Sequence, residues 1–261
     1  MQFIDSHCHL DFPDLSANVA DCLEAMVRND VIGALCVAVV LEDLPAVLAL
    51  AEAHPNIVAS VGVHPDYQDI DNPSVTQLQD LAAHPKVVAI GETGLDYYRL
   101  TGDLEWQRER FRNHIRAAIA CQKPLIIHTR AAAEDTLRIM REENAGAAGG
   151  VMHCFTESSA VARECLDLGF MISFSGIVTF RNAEDLREVA RMVPADRLLI
   201  ETDAPYLAPV PFRGKTNQPA FVRHVAEGIA KARGESLESI AETTTSNFFR
   251  LFPLAKPWIN S

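Results

Sequence analysis

Two histidines near the start of the chain have the spacing of a metal-binding pair. The stretch FIDSHCHLDF, residues 3–12, has the composition of a β-strand and carries His7 and His9 two positions apart. Side chains alternate along a strand, so both histidines are predicted to share one face with Phe3 and Asp5. Two neutral imidazoles a few ångströms apart form a bidentate site for a divalent cation. A single His-x-His pair is common, however, so a metal site requires further ligands.

Four further side chains of ligand type follow other apolar runs, and they are Glu92, His128, His153 and Asp203. Each lies two residues after a position that alternation predicts to face inward, namely Ile90, Ile126, Val151 and Glu201. A single histidine at the end of a strand is most often a packing or capping residue. Six ligand-type side chains at the ends of five predicted strands instead indicate one shared site.

The elements that position these side chains follow from apolar periodicity. Runs rich in apolar and β-branched residues recur about eight times and predict strands. They cover residues 3–9, 34–40, 57–65, 87–94, 124–130, 150–155, 170–176 and 198–205. Stretches with helical periodicity lie between and after them, at roughly 17–29, 43–53, 74–83, 104–121, 134–143, 158–167, 184–192, 219–232 and 236–250. Strands that alternate with helices predict βα units and a parallel sheet.

The chain length and the absence of a linker favour one barrel. The 261 residues are close to the ~250 residues of a (β/α)8 TIM barrel. No Gly/Ser-rich or low-complexity segment interrupts the sequence, so we expect a single α/β barrel domain over residues 1–261. The alternative is a doubly wound open sheet, which is disfavoured because no glycine-rich nucleotide fingerprint follows the first strand. Catalytic residues of a barrel lie at the carboxyl ends of its strands, where the six side chains are predicted.

Composition limits the compartment and the partners. No apolar run approaches the ~20 residues of a membrane span, and residues 1–15 lack the basic-then-apolar order of a secretion signal. We therefore expect a cytoplasmic protein without a membrane partner. The six cysteines form no C-x-x-C pair, which predicts reduced, mostly buried thiols. The net charge of −12 argues against a generally basic surface for nucleic acid but is compatible with a local cationic site.

Several short phrases of the sequence together match a family pattern. They are DSHCHLD, GVHPD, GETGLDYYR, IIHTR, HCF, SFSGIVTF, ETDAPYLAP and PFRGKTNQP. With these phrases the chain resembles, over nearly its whole length, the TatD-like metal-dependent deoxyribonucleases of the amidohydrolase superfamily. The resemblance implies metal binding by His7, His9, Glu92, His128, His153 and Asp203.

A site with two metal ions follows if the Glu92 carboxylate bridges two divalent cations. We expect one cation to be held by His7, His9, Glu92 and Asp203, and the other by Glu92, His128 and His153. Two divalent cations against two carboxylates leave a formal surplus of about two positive charges, which suits a phosphodiester and a bridging hydroxide. Zinc, nickel or manganese fits the imidazole ligands, whereas the family is described as magnesium-dependent.

Residues beside the predicted ligands are assigned catalytic and supporting roles. Asp203 would touch the attacking water and is the predicted general base. His64, in GVHPD, is a candidate donor to a phosphate oxygen or the leaving group, or alternatively a loop histidine packed before Pro65. Asp5 is expected to accept the outer N–H of a ligand imidazole, and Glu201 to orient the partners of Asp203. The other histidines are interpreted as surface or packing residues: His54, His84, His114 and His224.

Basic and aromatic residues on the loops above the predicted rim are candidate substrate contacts. Arg213 and Lys215 in PFRGKTNQP, with Arg181 in TFRNAED, are predicted to bind phosphates. The loops after strands 4, 5 and 8 add two arginines and three tyrosines suited to stacking on a base, which are Arg99, Arg130, Tyr97, Tyr98 and Tyr206. For Arg99 and Arg181, a solvated surface charge is an equally good interpretation.

Three functions are compatible with this pattern. The first is a deoxyribonuclease of the 3'-5' exonuclease type that acts on DNA ends or single-stranded DNA, as the resemblance implies. The second is an amide, ester or lactone hydrolase that uses the same metal site on a small metabolite. The third, a noncatalytic metal-binding protein, is disfavoured by the complete ligand set. Arg213 and Lys215 favour the nucleotide substrate, and no obligate protein partner is indicated.

Overall fold

The computed structural model describes residues 1–259 and contains eight parallel strands that neighbour one another in sequence order. The strands are β1 (Phe3–Cys8), β2 (Val31–Cys36), β3 (Ile57–Val61), β4 (Val87–Asp96), β5 (Leu125–Arg130), β6 (Gly150–Met152), β7 (Met171–Phe174) and β8 (Leu198–Ile200). The helices are α1 (Pro13–Ser16), α2 (Val19–Arg28), α3 (Leu44–Ala53), α4 (Val75–Ala82), α5 (Glu105–Cys121), α6 (Ala133–Glu142), α7 (Ser159–Asp167), α8 (Glu184–Met192), α9 (Val222–Arg233), α10 (Leu237–Leu251) and α11 (Lys256–Ile259).

The last strand returns to the first and nearly closes the sheet into a barrel. A parallel bridge pairs Cys8 with Ala204 just beyond β8. The His9 backbone N–H donates to the Ala204 carbonyl at 2.8 Å, and the Asp203 N–H donates to the His7 carbonyl at 2.9 Å. The predicted (β/α)8 barrel is therefore confirmed, and the open-sheet alternative is wrong.

Two apolar layers hold the barrel together. Its interior is filled by strand residues that include Ile4, Leu35, Val58, Ile126, Val151 and Leu199, packed with Phe248, Phe252 and Ile259 from α10, α11 and the segment between them. A larger cluster lies between the strands and the surrounding helices. Apolar side chains fill the interior at the end of the barrel that α10 covers. The polar residues of the strands therefore lie at the other end, at the carboxyl ends of the strands.

Two irregularities in the sheet change which residues face inward. The β1–β2 register shifts between Asp5 and Cys8, and Phe3 packs in the outer layer. The prediction that Phe3 and His7 lie on one face of β1 is therefore wrong, because the alternation of side chains does not continue through a register shift.

The second irregularity lies in β4, whose register with β5 shifts between Ile90 and Thr93. Ile90 packs in the outer layer, so its predicted inward position is wrong. Gly91 lies inside this shift with φ of +145°, and a Cβ there would lie 2.6 Å from the Ile126 carbonyl oxygen. Only glycine fits this backbone position, from which Glu92 enters the mouth of the barrel.

The sequence pattern predicted most element positions to within a few residues, but it misplaced the second strand. The predicted strand at 34–40 is observed three to four residues earlier, at Val31–Cys36. Residues 37–40 remain buried as a loop, so an apolar run alone does not mark where pairing ends. Short helices α1 and α11 were not predicted. Within residues 1–259, none of the helices has the length and apolar character needed to cross a membrane.

Candidate metal and active site

Glu92 lies at the centre of the barrel mouth, and its two carboxylate oxygens face different histidines. Oε2 is 3.3 Å from Nε2 of His7. Oε1 is 2.7 Å from Nε2 of His153 and 3.2 Å from Nδ1 of His128. This is the arrangement that a carboxylate needs in order to bridge two cations.

The first donor group has a size that fits one metal ion. Nε2 of His7 and Nε2 of His9 are 3.2 Å apart. Oδ1 of Asp203 lies 3.5 Å from Nε2 of His9 and 3.8 Å from Nε2 of His7. Ligands at about 2.0–2.1 Å from a tetrahedral cation lie about 3.3 Å from one another, and the sets His7–His9–Glu92 and His7–His153–Asp203 are each compact enough to hold one ion.

The second donor group lies on the other side of Glu92. Nε2 of His153 is 3.4 Å from Nδ1 of His128, and both nitrogens face Oε1 of Glu92. A cation held by these three donors would keep coordination positions for water or substrate, as catalytic metal sites do.

Three of the four imidazoles are anchored through the nitrogen that points away from the site. His9 Nδ1–H donates to the Val37 carbonyl at 2.9 Å, and His153 Nδ1–H donates to Glu201 Oε1 at 3.3 Å. His128 Nε2–H donates to Asp96 Oδ2 at 3.1 Å. An imidazole anchored in this way keeps a proton on its outer nitrogen when it is neutral, and its inner nitrogen can then offer a lone pair to a metal. The histidine, aspartate and glutamate groups are thus positioned to bind metal.

Both central carboxylates are held in their ionised form. Burial acts to raise the pKa of Glu92, but the imidazoles of His153, His64 and His7 outweigh it and hold this pKa well below its usual range. Burial likewise opposes ionisation of Asp203, and the hydrogen bond from His9 with the nearby His7 lowers its pKa. The two carboxylates are therefore available as anionic metal ligands at neutral pH.

His64 faces the same Glu92 oxygen but is oriented differently from the anchored histidines. Burial lowers the pKa of His64 to about 3, so its ring is neutral. Its Nδ1 accepts a hydrogen bond from the Asp66 backbone N–H at 3.1 Å. The proton of the neutral ring then lies on Nε2, which is 3.4 Å from Oε1 of Glu92. His64 presents a hydrogen-bond donor to the mouth of the barrel, whereas the anchored imidazoles present lone pairs.

Of the two predicted supporting carboxylates, Asp5 has different partners from those expected, whereas Glu201 bonds His153, which shares a donor set with Asp203. Asp5 accepts hydrogen bonds from Thr202, at 2.8 Å from its backbone N–H and 2.5 Å from its hydroxyl, and from the His7 backbone N–H at 3.3 Å. It accepts no imidazole N–H among residues 1–259, and His7 Nδ1 has no partner there, so that prediction is wrong. Closure of the barrel brings Asp5 of β1 beside Thr202, which lies just after β8. Glu201 supports His153 and also accepts from the Cys154 backbone N–H at 2.7 Å.

Asp96 was missed by the sequence analysis. It lies at the end of β4, four residues after Glu92, and its carboxylate anchors His128. Burial raises the pKa of Asp96, but hydrogen bonds from His128 and the Tyr98 backbone N–H lower it below the ordinary value. The even spacing from Glu92, which places both residues on one face of a strand, was the signal that could have identified it.

A cleft of about 990 Å³ covers the donor groups and contains several of the predicted substrate contacts. Arg99, Arg130 and Tyr206 line it. The Arg130 guanidinium lies 3.8 Å from the centre of the Tyr98 ring. On the opposite side, the Phe12 ring stacks on His9 at 4.6 Å and contacts Tyr206 edge-on at 6.2 Å. The cleft therefore has two arginines beside Asp66 and Asp96 on one side and aromatic rings on the other.

Other predicted contacts lie outside the cleft. Among residues 1–259, those that line it do not include Arg181, Arg213 or Lys215. The Arg213 guanidinium is 3.5 Å from the centre of the Phe180 ring, and the Lys215 ammonium is 5.8 Å from that of Phe212. Phosphate binding by these three side chains stays a prediction.

Among residues 1–259, the lining of the cleft does not include Tyr97, which was predicted to stack on a base, or the four histidines interpreted as surface or packing residues. Tyr97 donates its hydroxyl to Asp135 at 2.7 Å, a contact away from any stacking surface of the cleft. His84 pairs with Glu52 and His224 with Glu227, and His54 is half-buried. His114 is fully buried in α5.

The chain and its fold are similar to those of known proteins. A family model described as TatD related DNase matches residues 4–253. The chain is 52% identical over 255 residues to YcfH, an uncharacterized metal-dependent hydrolase of Escherichia coli (strain K12), covering 97% of this chain and 96% of that protein. It is 36% identical over 214 residues to the 3'-5' ssDNA/RNA exonuclease TatD of Erwinia tasmaniensis, covering 79% and 83%. The crystal structure of YjjV, a TatD homologue of Escherichia coli K12, has a TM-score of 0.87 and 30% identity, covering 96% of this chain and 98% of that one.

Proposed function

The chain belongs to the TatD related DNase family, whose members are metal-dependent hydrolases, and on this basis we propose that it is a 3'-5' exonuclease acting on DNA ends or single-stranded DNA. The observation that carries the proposal is the position of Glu92 between two donor groups, in a cleft lined by arginines on one side and aromatic rings on the other. The description of the Erwinia tasmaniensis relative supports the polarity and the single-stranded substrate.

The proposed site binds two divalent cations through the six side chains named by the sequence analysis, divided on either side of Glu92. When bound, such cations lower the pKa of a water molecule and offset the charge that develops on a phosphodiester. Zinc, manganese, nickel and magnesium are the candidates, with the imidazole ligands favouring the first three.

Asp203 is the proposed general base. Its carboxylate is ionised, lies at the mouth of the barrel and is partly exposed, at 16% of its side-chain surface. A carboxylate in this position accepts the proton of the attacking water and directs the water toward phosphorus.

His64 is the proposed donor to the phosphate or to the leaving oxygen. Its Nε2–H points into the mouth of the barrel, because Nδ1 is occupied by the Asp66 N–H. A neutral imidazole donor placed there stabilises negative charge that forms as the bond to the leaving oxygen breaks.

The two sides of the cleft suggest how a nucleotide lies in it. Arg130 and Arg99 provide charge-assisted hydrogen bonds for a phosphate beside the scissile one. Phe12 and Tyr206 provide a surface on which a base stacks. Because the whole chain has a net charge of −12, a local site of this kind favours a strand end over a long duplex footprint. Arg181, Arg213 and Lys215 are proposed to bind phosphates beyond the cleft.

The decisive experiment is a substrate panel on metal-analysed protein. Single-stranded DNA labelled at either end, duplex DNA, RNA, an aryl phosphodiester, simple esters and lactones are assayed with zinc, manganese, nickel and magnesium. We expect stepwise loss of nucleotides from the 3' end of single-stranded DNA. Hydrolysis of esters or lactones without any cleavage of DNA would instead establish the small-metabolite hydrolase, and faster cleavage of RNA would change the substrate class.

A further inference from the structure

Helix α5 presents three buried polar side chains to the loop that carries His64. Gln107, Arg110 and His114 are spaced three and four residues apart and therefore form one stripe on the helix. Their exposed fractions are 0%, 1% and 0%. All three contact the loop at residues 62–72, which follows β3.

Two of these side chains hold the backbone on either side of His64. The Val63 N–H donates to Nε2 of His114 at 3.0 Å, and His114 Nδ1–H in turn donates to the Arg110 carbonyl at 2.8 Å. Gln107 Nε2–H donates to the Pro65 carbonyl at 3.1 Å. The residues before and after His64 are thus attached to the same helix.

Gln107 also joins this loop to the strand that carries the partner of His128. Its Oε1 accepts from the Asp96 backbone N–H at 2.9 Å, and its Nε2 donates to the Asp96 carbonyl at 3.2 Å. His128 and His64 approach Oε1 of Glu92 at 3.2 Å and 3.4 Å. One amide side chain therefore connects the supports of two histidines that face the same oxygen.

Arg110 holds the rest of the loop through its guanidinium group. Nη1 donates to the Tyr67 carbonyl at 2.6 Å and to the His64 carbonyl at 3.3 Å, and Nε donates to Oδ1 of Asn72 at 2.8 Å. Among residues 1–259 its hydrogen bonds go to carbonyl and amide oxygens, and no carboxylate pairs with it. A buried cation without an anionic partner is costly for stability, whereas an apolar stripe would pack α5 without that cost.

We propose that Gln107, Arg110 and His114 are positioning residues that fix the loop at residues 62–72, so that Nε2 of His64 faces the substrate. The inference rests on the donor role of His64 in the proposed function. The end of β4 remains in the sheet through the pairing of Asp96 with Arg130, so the loop is the part of the site that depends most on α5. A substitution that loosens the loop should therefore displace His64 more than it displaces the metal ligands.

The test is a double-mutant cycle between Gln107→Met and His64→Ala, with kcat and KM measured on single-stranded DNA. Gln107→Met keeps the side-chain length and removes all three hydrogen bonds. We expect His64→Ala to lower kcat by about 100-fold, in the range of proton-transfer catalysis. Gln107→Met should lower kcat at least ~10-fold with less than a ~3-fold change in KM, and should have no further effect once His64 is absent.

The matched control is Asn247→Leu. Asn247 is also a buried amide on a helix, but it donates to the Ala195 and Leu198 carbonyls at the opposite end of the barrel, at 2.7 and 2.8 Å. This variant should lower the Tm about as much as Gln107→Met and leave kcat within ~2-fold. Equal losses of kcat in both variants would show a general stability effect and overturn the proposal.

A second measurement does not depend on activity. Imidazole 15N NMR of the metal-free protein should show His64 as the Nε2–H tautomer, and Gln107→Met should raise the Nδ1–H population.

If Gln107→Met does not fold, Gln107→Glu, which keeps an acceptor for the Asp96 N–H, takes its place in both experiments. Additive losses in the cycle, or unchanged His64 signals, overturn the positioning role while the proposed function stands. If the parent protein cleaves no DNA, the proposed function fails, and the NMR signals alone decide the positioning role.

Discussion

Asp96 accepts the Nε2–H of His128 at 3.1 Å, and this contact turns Nδ1 of His128 toward Oε1 of Glu92 at 3.2 Å. The position of one donor in the second group is therefore set by a carboxylate that lines the same cleft but is not one of the six predicted donors. Such supporting carboxylates fix the tautomer of a ligand imidazole and raise its basicity.

Replacing Asp96 with Asn should weaken the second metal site selectively. The amide can accept the His128 N–H but carries no charge, so we expect metal affinity there to fall by about 10- to 100-fold with the first site retained. Calorimetric titration and metal analysis measure both sites. Asp30→Asn, which changes a half-exposed carboxylate paired with Arg223, is the control and should bind metal like the parent. Equal weakening of both sites would contradict the division between the two groups.

Replacing Glu92 with Ala should lower the metal content to one ion or none. The change removes one oxygen donor from each group and leaves the positive charge of the bound cations less compensated. The barrel should survive, since the side chain contributes little apolar packing, and far-UV circular dichroism checks this. Two retained metal ions with full activity would exclude a bridging role for this carboxylate.

Asp203→Asn should impair turnover more than binding. Asparagine is nearly isosteric but is a poor base and a weaker ligand, so kcat should fall at least ~100-fold with a smaller change in KM. Steady-state kinetics at saturating metal concentration give kcat and KM for the variant and for the parent. A change confined to KM would argue for a role in substrate binding.

Changing both Arg213 and Lys215 to Ala tests whether phosphates are bound beyond the cleft. Each charge-assisted hydrogen bond lost is worth about 1.5–3 kcal/mol, and an aryl phosphodiester has no flanking phosphate to lose it. We expect kcat/KM for short single-stranded DNA to fall at least ~10-fold relative to the aryl ester, with weaker salt inhibition. Equal losses on both substrates would assign the loop to the integrity of the barrel and favour the small-metabolite hydrolase.

Buried His114 should make stability depend on pH. Burial lowers its pKa to about 4 from an ordinary value of 6.5, so the unfolded chain binds more protons between these values. The stabilisation it provides is complete above pH ~6.5 and is lost as pH falls toward ~4, by about 3 kcal/mol in total. The difference in the free energy of unfolding between the parent and His114→Gln, measured by urea denaturation, should therefore shrink over this range. A constant difference would mean that His114 does not titrate differently in the two states.

Much of the site could be predicted from the sequence because its signals are local. Strand-forming runs, the helical periodicity between them and the place of ligand-type residues at strand ends are properties of a few consecutive residues. The parallel barrel then brings the carboxyl ends of all strands to one rim, and the structure places all six predicted donors there. The division of those donors between two ions follows from a bridging Glu92 carboxylate and remains a proposal.

Only the tertiary structure decided which groups support those donors. Asp5 bonds to Thr202, 197 positions away, because closure of the barrel brings β1 beside β8. The register shifts in β1 and β4 move Phe3 and Ile90 outward, against simple alternation. The stripe on α5 likewise finds its partners in a loop more than 30 residues earlier. Such pairings depend on how distant strands and helices are packed, and the residues on either side of a position carry no information about that packing.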